Sequence, residues 1–304
     1  MLSDQNKANK LKKTAVILSV SLAIFLCCLK AVAVFYTDSL AVLSSTVDSL
    51  SDILASLITF FAVKISVKPA SLKYRYGYGK AEALSALFQS LFVAVSGLYI
   101  LYDSILRFWH PVELKQTDLG LSVMVFSLIS TIGLVAFQQF VAKKTNSKAI
   151  EADSLHYKVD ILTNLSIIVS LGVVHVFGFA QTDTIIAILI AGYLLWNAYD
   201  LGKESVGLLL DKELDAEIRE DVLKIVAKHK IRPQAHDLRT RDLGGTYMFE
   251  FHLELDGKLD LYTAHKYTDE VEALIRQKYP DAQVIIHQDP KGIGEERLDN
   301  ILKG

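Results

Sequence analysis

Residues 40–63 read LAVLSSTVDSLSDILASLITFFAV. A helix needs about 20 residues to cross a hydrocarbon core of about 30 Å, and this stretch is long and apolar enough, yet it holds Asp48 and Asp52 near its middle. Five more stretches of spanning length lie near 14–36, 82–106, 118–142, 155–177 and 181–202. The fifth in chain order contains the run DSLHYKVDILTN (153–164), which carries His156 and Asp160. Ser, Gly and single charges recur inside these stretches, as expected of a polytopic bundle with an interior rather than of separate anchors. The apolar run after Lys12 and Lys13 exceeds the 7–15 residue core of a secretory signal, and five further spans follow it.

Composition agrees with a membrane reading and divides the chain. Of 304 residues, 51% are hydrophobic and 22% charged, and the mean hydropathy is +0.31. Residues 1–205 hold 17 Lys+Arg and 14 Asp+Glu, against 15 and 20 in the remaining third. A net charge of −2 argues against a nucleic-acid surface. Cys27 and Cys28 are adjacent in an apolar run, which excludes a disulfide framework. Short-loop cations fix the orientation. Lys7, Lys10, Lys12 and Lys13 precede span one, Lys64, Lys68, Lys73, Arg75 and Lys80 join spans two and three, and Lys143, Lys144 and Lys148 join spans four and five. Only Arg107 and Lys115 fall on the other side. Both termini are therefore expected in the cytoplasm.

The fold expected is a multi-pass α-helical membrane domain of six transmembrane helices plus a small cytoplasmic α/β domain. Residues 1–13 form an N-terminal tail, 14–205 the membrane domain, 206–290 the cytoplasmic domain and 291–304 a flexible tail. In 206–290, Asp215 is placed to cap a helix whose stripe is Ile218, Val222, Ile225 and Val226. Strands over 237–242 and 246–255 flank Gly244-Gly245, a hairpin signal. In the second, Phe249, Phe251, Leu253 and Leu255 share one face and Glu250, His252 and Glu254 the other. A second helix and the strand 283–287 complete αββαβ, a ferredoxin-like order lacking its first strand.

The chemistry lies in the acidic spans. Asp48 and Asp52, like His156 and Asp160, are four apart, so each pair stands on one helix face a turn apart. An Asp at bilayer depth costs about 2.5–3.5 kcal/mol, and three of them about 8–10 kcal/mol if uncompensated. Lys30 could neutralise one and would leave two. Three carboxylates and an imidazole suit tetrahedral Zn(II) and admit Fe(II), Mn(II) or Cd(II). Only neutral His binds a metal, so metal entry expels a proton.

DxxxD and HxxxD on spans two and five, with YGYGKAE (76–82), HDLRTR (236–241) and VIIHQDP (284–290), resemble the cation diffusion facilitator family over about residues 12–290. The resemblance implies a homodimer in a bacterial inner membrane, exporting Zn(II), with Fe(II) as an alternative cargo, against inward proton flow by alternating access. It implies a transport site of Asp48, Asp52, His156 and Asp160, with Leu155 as a hydrophobic gate. It pairs Lys80 with Asp211 as an interlock at the membrane–cytoplasm junction. It also implies Zn(II) bound in the cytoplasmic domain by His236, His252, His265, His287 and Asp289, the carboxylate bridging two ions. One departure stands out. Where the family's loop between spans two and three holds a metal on one Asp and two His, this chain has Ser71, Tyr74 and Tyr78. Tyrosine, with a pKa of about 10, ligates Zn(II) poorly at neutral pH, and no metal is expected there.

Two other classes fit less well. A membrane-embedded prenyl-diphosphate transferase would need an aqueous cavity with clustered Arg and Lys for diphosphate and Asp without His, whereas this chain has His156 among the candidate ligands and no intramembrane Arg. A metal sensor would bind without transporting, which zinc accumulation in cells lacking the gene discriminates.

Overall fold

The computed structural model describes residues 2–37, 40–109, 118–177, 182–292 and 297–301. Six long helices come first: α1 (Leu2–Thr37), α2 (Leu40–Ser66), α3 (Ala81–Trp109), α4 (Asp118–Thr145), α5 (Lys148–Phe177) and α6 (Thr182–Leu209). Among the described residues, four helices are long and apolar enough to cross a membrane: Lys7–Val32, Ala81–Leu106, Val125–Thr145 and Ile185–Leu209. The acid-bearing α2 and α5 run for 27 and 30 residues, enough length to span beside them. The bundle has its polarity inside out. Leu54, Phe88, Val95, Ile129, Leu189 and Trp196 are exposed, whereas Ser19, Ser56, Thr59, Gln89, Gln138 and Asp153 are buried. Such a surface suits hydrocarbon, not water.

Polar side chains tie the ends. Glu82, at the start of α3, accepts from Lys12 Nζ of α1 and Ser66 Oγ of α2, both at 2.7 Å, and from Ser147 Oγ just before α5. Four helices are thus gathered where the basic loops lie.

The rest of the chain forms α7 (Ala216–Ala227), β1 (Gln234–Asp242), β2 (Tyr247–Leu255), α8 (Leu261–Lys278), β3 (Gln283–Pro290) and a short α9 (Leu298–Ile301). The sheet order is β1-β2-β3, with β1 antiparallel and β3 parallel to β2. In a split βαβ unit the missing first strand would separate the two parallel strands; without it β2 and β3 pair directly. The core joins Phe249, Phe251, Leu253 and Leu255 to Val222 and Val226 of α7 and Val271 and Ile275 of α8. Asp215 stands at the N-cap of α7 without a side-chain bond; only its carbonyl accepts, from Ile218 and Arg219 N–H. The strand β1 begins earlier than the alternation suggests, because a bulge between His236 and Arg239, with Asp237 at φ 52°, interrupts the pattern without ending the pairing. In the C-terminal segment, Arg297 pairs with Glu254 and Leu298 N–H donates to Asp237 Oδ2 at 3.0 Å.

The two parts meet at the β1–β2 turn. Asp242 Oδ1 accepts from Gly244 and Gly245 N–H at 2.8 and 2.6 Å, with both glycines in the left-handed region. A Cβ on Gly244 would lie 2.2 Å from the carbonyl carbon of Gly79. No side chain fits between those two backbones.

Candidate functional site

In the membrane part, α2 and α5 bring Asp52, His156 and Asp160 together. One ligand atom from each lies within 4.8 Å of the others. His156 Nε2 is 3.1 Å from Asp52 Oδ1, and the imidazole is buried while the two carboxylates are half-buried. The i, i+4 spacing on α5 points His156 and Asp160 the same way, and α2 supplies Asp52 from across the gap. Phe92 of α3 lies against the His156 ring, with centroids 5.5 Å apart. Asp48 is in α2, one turn before Asp52, but its side chain lies outside the described residues. Lys30 Nζ donates to Ser49 Oγ at 2.8 Å. Leu155 is buried among Ala86 and Val93 of α3, Ala152 and Val159 of α5, and Leu194, Ala198 and Leu201 of α6.

Sequence reasoning passed over a further carboxylate. Asp153 is fully buried. Its Oδ2 accepts from Ser19 Oγ at 2.7 Å and from Gln138 Nε2 at 2.6 Å, and its Oδ1 from Ser56 Oγ at 3.4 Å. The available signal was an acid three residues before His156 on the same helix.

At the junction, Lys80 Nζ donates to Asp211 Oδ1 at 2.7 Å and Arg241 Nη1 lies 3.4 Å from Oδ2. The hydrogen bond from Lys80 holds the Asp211 carboxyl below its usual range. Arg241 also caps the Tyr76 ring, 5.6 Å from its centroid. In the loop after α2, Ser71 Oγ is 3.0 Å from Tyr78 Oη, Tyr74 N–H donates to Ser71 Oγ at 3.2 Å, and the Tyr74 and Tyr78 rings pack with centroids 4.8 Å apart. These contacts hold the loop through hydroxyls and rings.

The histidines of the C-terminal domain form a row. Register pairs His236 of β1 with His252 of β2, and His252 with His287 of β3. All project from the face opposite the Phe249–Leu255 core. Ring centroids are 5.1 Å apart from His236 to His252 and 4.8 Å from His252 to His287. Asp289, two residues beyond His287, presents Oδ2 to His252 Nδ1 at 2.7 Å and to His236 Nε2 at 3.5 Å, and Oδ1 to His287 Nε2 at 3.2 Å. Ligand atoms of His236, His252 and Asp289 all lie within 4.8 Å. His236 Nδ1 is buried without a hydrogen bond; Glu254 Oε1 is 3.4 Å away but out of line. Two imidazoles and a shared carboxylate, with His236 Nε2 and His252 Nδ1 both on Asp289 Oδ2, are a donor set that fits Zn(II). His265 stands apart on α8, exposed and 3.5 Å from Asp269, because α8 covers the other face of the sheet.

Sequence comparison bears on both regions. Residues 16–210 match the cation efflux transmembrane domain, and 214–291 match the cytoplasmic domain of cation efflux proteins. The cation-efflux pump FieF of Klebsiella pneumoniae subsp. pneumoniae is 39% identical over 284 residues, covering 93% of this chain and 94% of its own. That of Shewanella oneidensis is 42% identical over 273 residues, covering 90% and 92%. A solved chain of CzrB, a candidate zinc transporter, in its Zn form is 32% identical over 28% of this chain and 99% of its own, at a TM-score of 0.27; that likeness carries no argument.

Proposed function

Since the chain belongs to the cation efflux family, whose transmembrane and cytoplasmic domains it matches in order, we propose that it is a divalent-metal/proton antiporter exporting Zn(II), with Fe(II) as an alternative cargo, from the cytoplasm by alternating access. The observation that carries this reading is the meeting of Asp52, His156 and Asp160 from two different helices of the membrane part. Asp48 completes the cargo site as a fourth ligand. An N,O set of this kind suits Zn(II) above harder ions. Because the imidazole must be neutral to bind the ion, and because buried carboxylates are costly when bare, cargo and protons compete for the same atoms. Whichever leaves is replaced by the other. Leu155, packed between α5 and the α3–α6 pair, acts as the gate, and the Lys80–Asp211 pair links the membrane part to the cytoplasmic domain.

In this reading the cytoplasmic domain, residues 206–290, joins two copies into a homodimer and holds Zn(II) on His236, His252 and Asp289, with His287 on the other oxygen of Asp289. The membrane part, residues 14–205, sits in a bacterial inner membrane with both chain ends in the cytoplasm, as the lysine-rich loops favour. Vesicles containing the full-length protein test the proposal. Under an imposed pH gradient, Zn(II) uptake proceeds with wild type and is lost with Asp52→Ala. Zinc binding without uptake in wild type would favour the sensor instead, and undiminished uptake by Asp52→Ala would remove the site.

A further inference from the structure

Asp153 lies outside the ligand group of Asp52, His156 and Asp160, yet it gathers the helices that carry it. Its oxygens accept from Ser19 of α1, Ser56 of α2 and Gln138 of α4. Ser56 Oγ in turn lies 2.9 Å from Ser19 Oγ and 2.8 Å from Tyr157 Oη of α5. Ser19, Ser56, Gln138, Asp153 and Tyr157 are all buried. Placement along the two ligand helices gives the network its meaning. Ser56 follows Asp52 by four residues on α2, and Asp153 and Tyr157 flank His156 on α5. The polar knot therefore joins α2 to α5 about one helical turn, roughly 5.4 Å, from the point where Asp52 and His156 meet.

Packing alone does not require such a knot, since a well-fitted apolar cluster is usually at least as stable as a buried charged one. Hydrogen bonds do what apolar contacts do poorly: they fix distance and rotation. A cargo site needs both, because Zn–N and Zn–O distances of about 2.0–2.2 Å leave little tolerance. We propose that Asp153, acting through Ser56 and Tyr157, is a positioning residue that sets the spacing of Asp52 against His156, and so the size of divalent ion the two helices accept. The inference deepens the cargo-site reading above and rests on it.

Gln138 supplies a way to separate the clamp from the charge. Its Oε1 is buried without a partner. With Asp153→Asn, the Gln138 amide can flip so that Oε1 accepts from the new Nδ2, while the serine hydroxyls rotate to suit. Asparagine keeps the clamp and discards the charge; alanine discards both.

The experiment measures KM and kcat for Zn²⁺ and for the larger Cd²⁺ with full-length protein in vesicles under a fixed pH gradient. Removing partners that orient metal ligands typically weakens affinity about 10–100-fold. Asp153→Ala is expected to raise the Zn²⁺ KM on that scale with a smaller change in kcat, and to erode the preference for Zn²⁺ over Cd²⁺. Asp153→Asn stays close to wild type on both counts. Ser56→Ala, which removes one strut and leaves Asp153 bonded to Ser19 and Gln138, shifts KM in the same direction by less; it decides the matter if Asp153→Ala does not fold. The proposal is overturned if the folded alanine variants keep the wild-type KM and ion preference, or if Asp153→Asn is as impaired as Asp153→Ala. Asp52→Ala, run in parallel, isolates the premise: continued transport by that variant removes the cargo site itself, whatever Asp153 does.

Discussion

The membrane trio and the cytoplasmic histidine row use the same two donors, imidazole and carboxylate, and are assembled by different rules. The trio draws on two helices, one face of each, with its imidazole buried beside Phe92. The row draws on three strands and is graded in exposure, from His236 at 8% to His287 at 68% of the side chain. In the trio the apolar membrane surroundings disfavour bare charge, which favours occupancy by an ion or by protons. At the rim of the row, water can take the place of either. The same chemistry thus suits exchange in one location and retention in the other. That division of labour is what the following measurements can break or sharpen.

The largest effect is expected at Asp289. Its two oxygens face three imidazoles, so Asp289→Ala removes the one acid all of them share. Loss of an outer partner costs about 10–100-fold in metal affinity, and loss of a shared ligand should reach at least the upper end. Calorimetric Zn(II) titration of the full-length variant checks this, with vesicle transport measured alongside. Transport that survives while the tighter binding class disappears sharpens the contrast. Transport that collapses with it would mean the row is part of the exchange machinery.

A smaller effect is expected at His156. Replacing the imidazole in His156→Asp leaves an all-oxygen site, which suits Mn(II) better than Zn(II), and removes the group that must lose its proton before the metal binds. The Zn(II)-to-Mn(II) transport ratio should fall by about tenfold, equivalent to about 1.4 kcal/mol, and uptake should depend less steeply on pH. Equal ratios and pH profiles in wild type and variant would show that the carboxylates alone set selectivity.

The two sites were not equally legible in the sequence. Spacing on a single helix is local: Asp48 with Asp52, and His156 with Asp160, could be assigned to shared faces without knowing what lay opposite, and the structure brings Asp52, His156 and Asp160 within reach of one another. The row is non-local. Alternation placed His252 on the polar face of its strand, but only the pairing register, shifted by the bulge at Asp237, aligns it with His236 and His287. For His265 the spacing gave no sheet face, and α8 holds it away from the row. Asp153 escaped notice for the opposite reason: its three bonding partners, two serines and a glutamine, are scattered over α1, α2 and α4 and carry no pattern of their own. The helix ends ran beyond the apolar stretches because Lys12, Glu82 and Ser147 give the extra turns something to bind.

The smallest effect belongs to the contact between the two regions. Asp211 is half-exposed, with 42% of its side chain accessible, so screening by water keeps the Lys80 pair to about 0–1 kcal/mol. Its sign with pH is fixed by the lowered pKa: the folded carboxyl releases its proton more readily than an unfolded one, whose ordinary value is 3.8. The stabilisation is therefore complete above pH of about 4 and disappears as the pH falls through the folded value. Asp211→Asn should accordingly melt slightly lower than wild type at pH 7, in detergent at fixed ionic strength, and the gap should narrow with added salt and close in strong acid. A gap that persists undiminished in acid would show that the substitution acts through something other than the charge of Asp211. In that case the two regions are joined by the Gly79–Gly244 contact and the shape of the turn, and the ion pair only accompanies them.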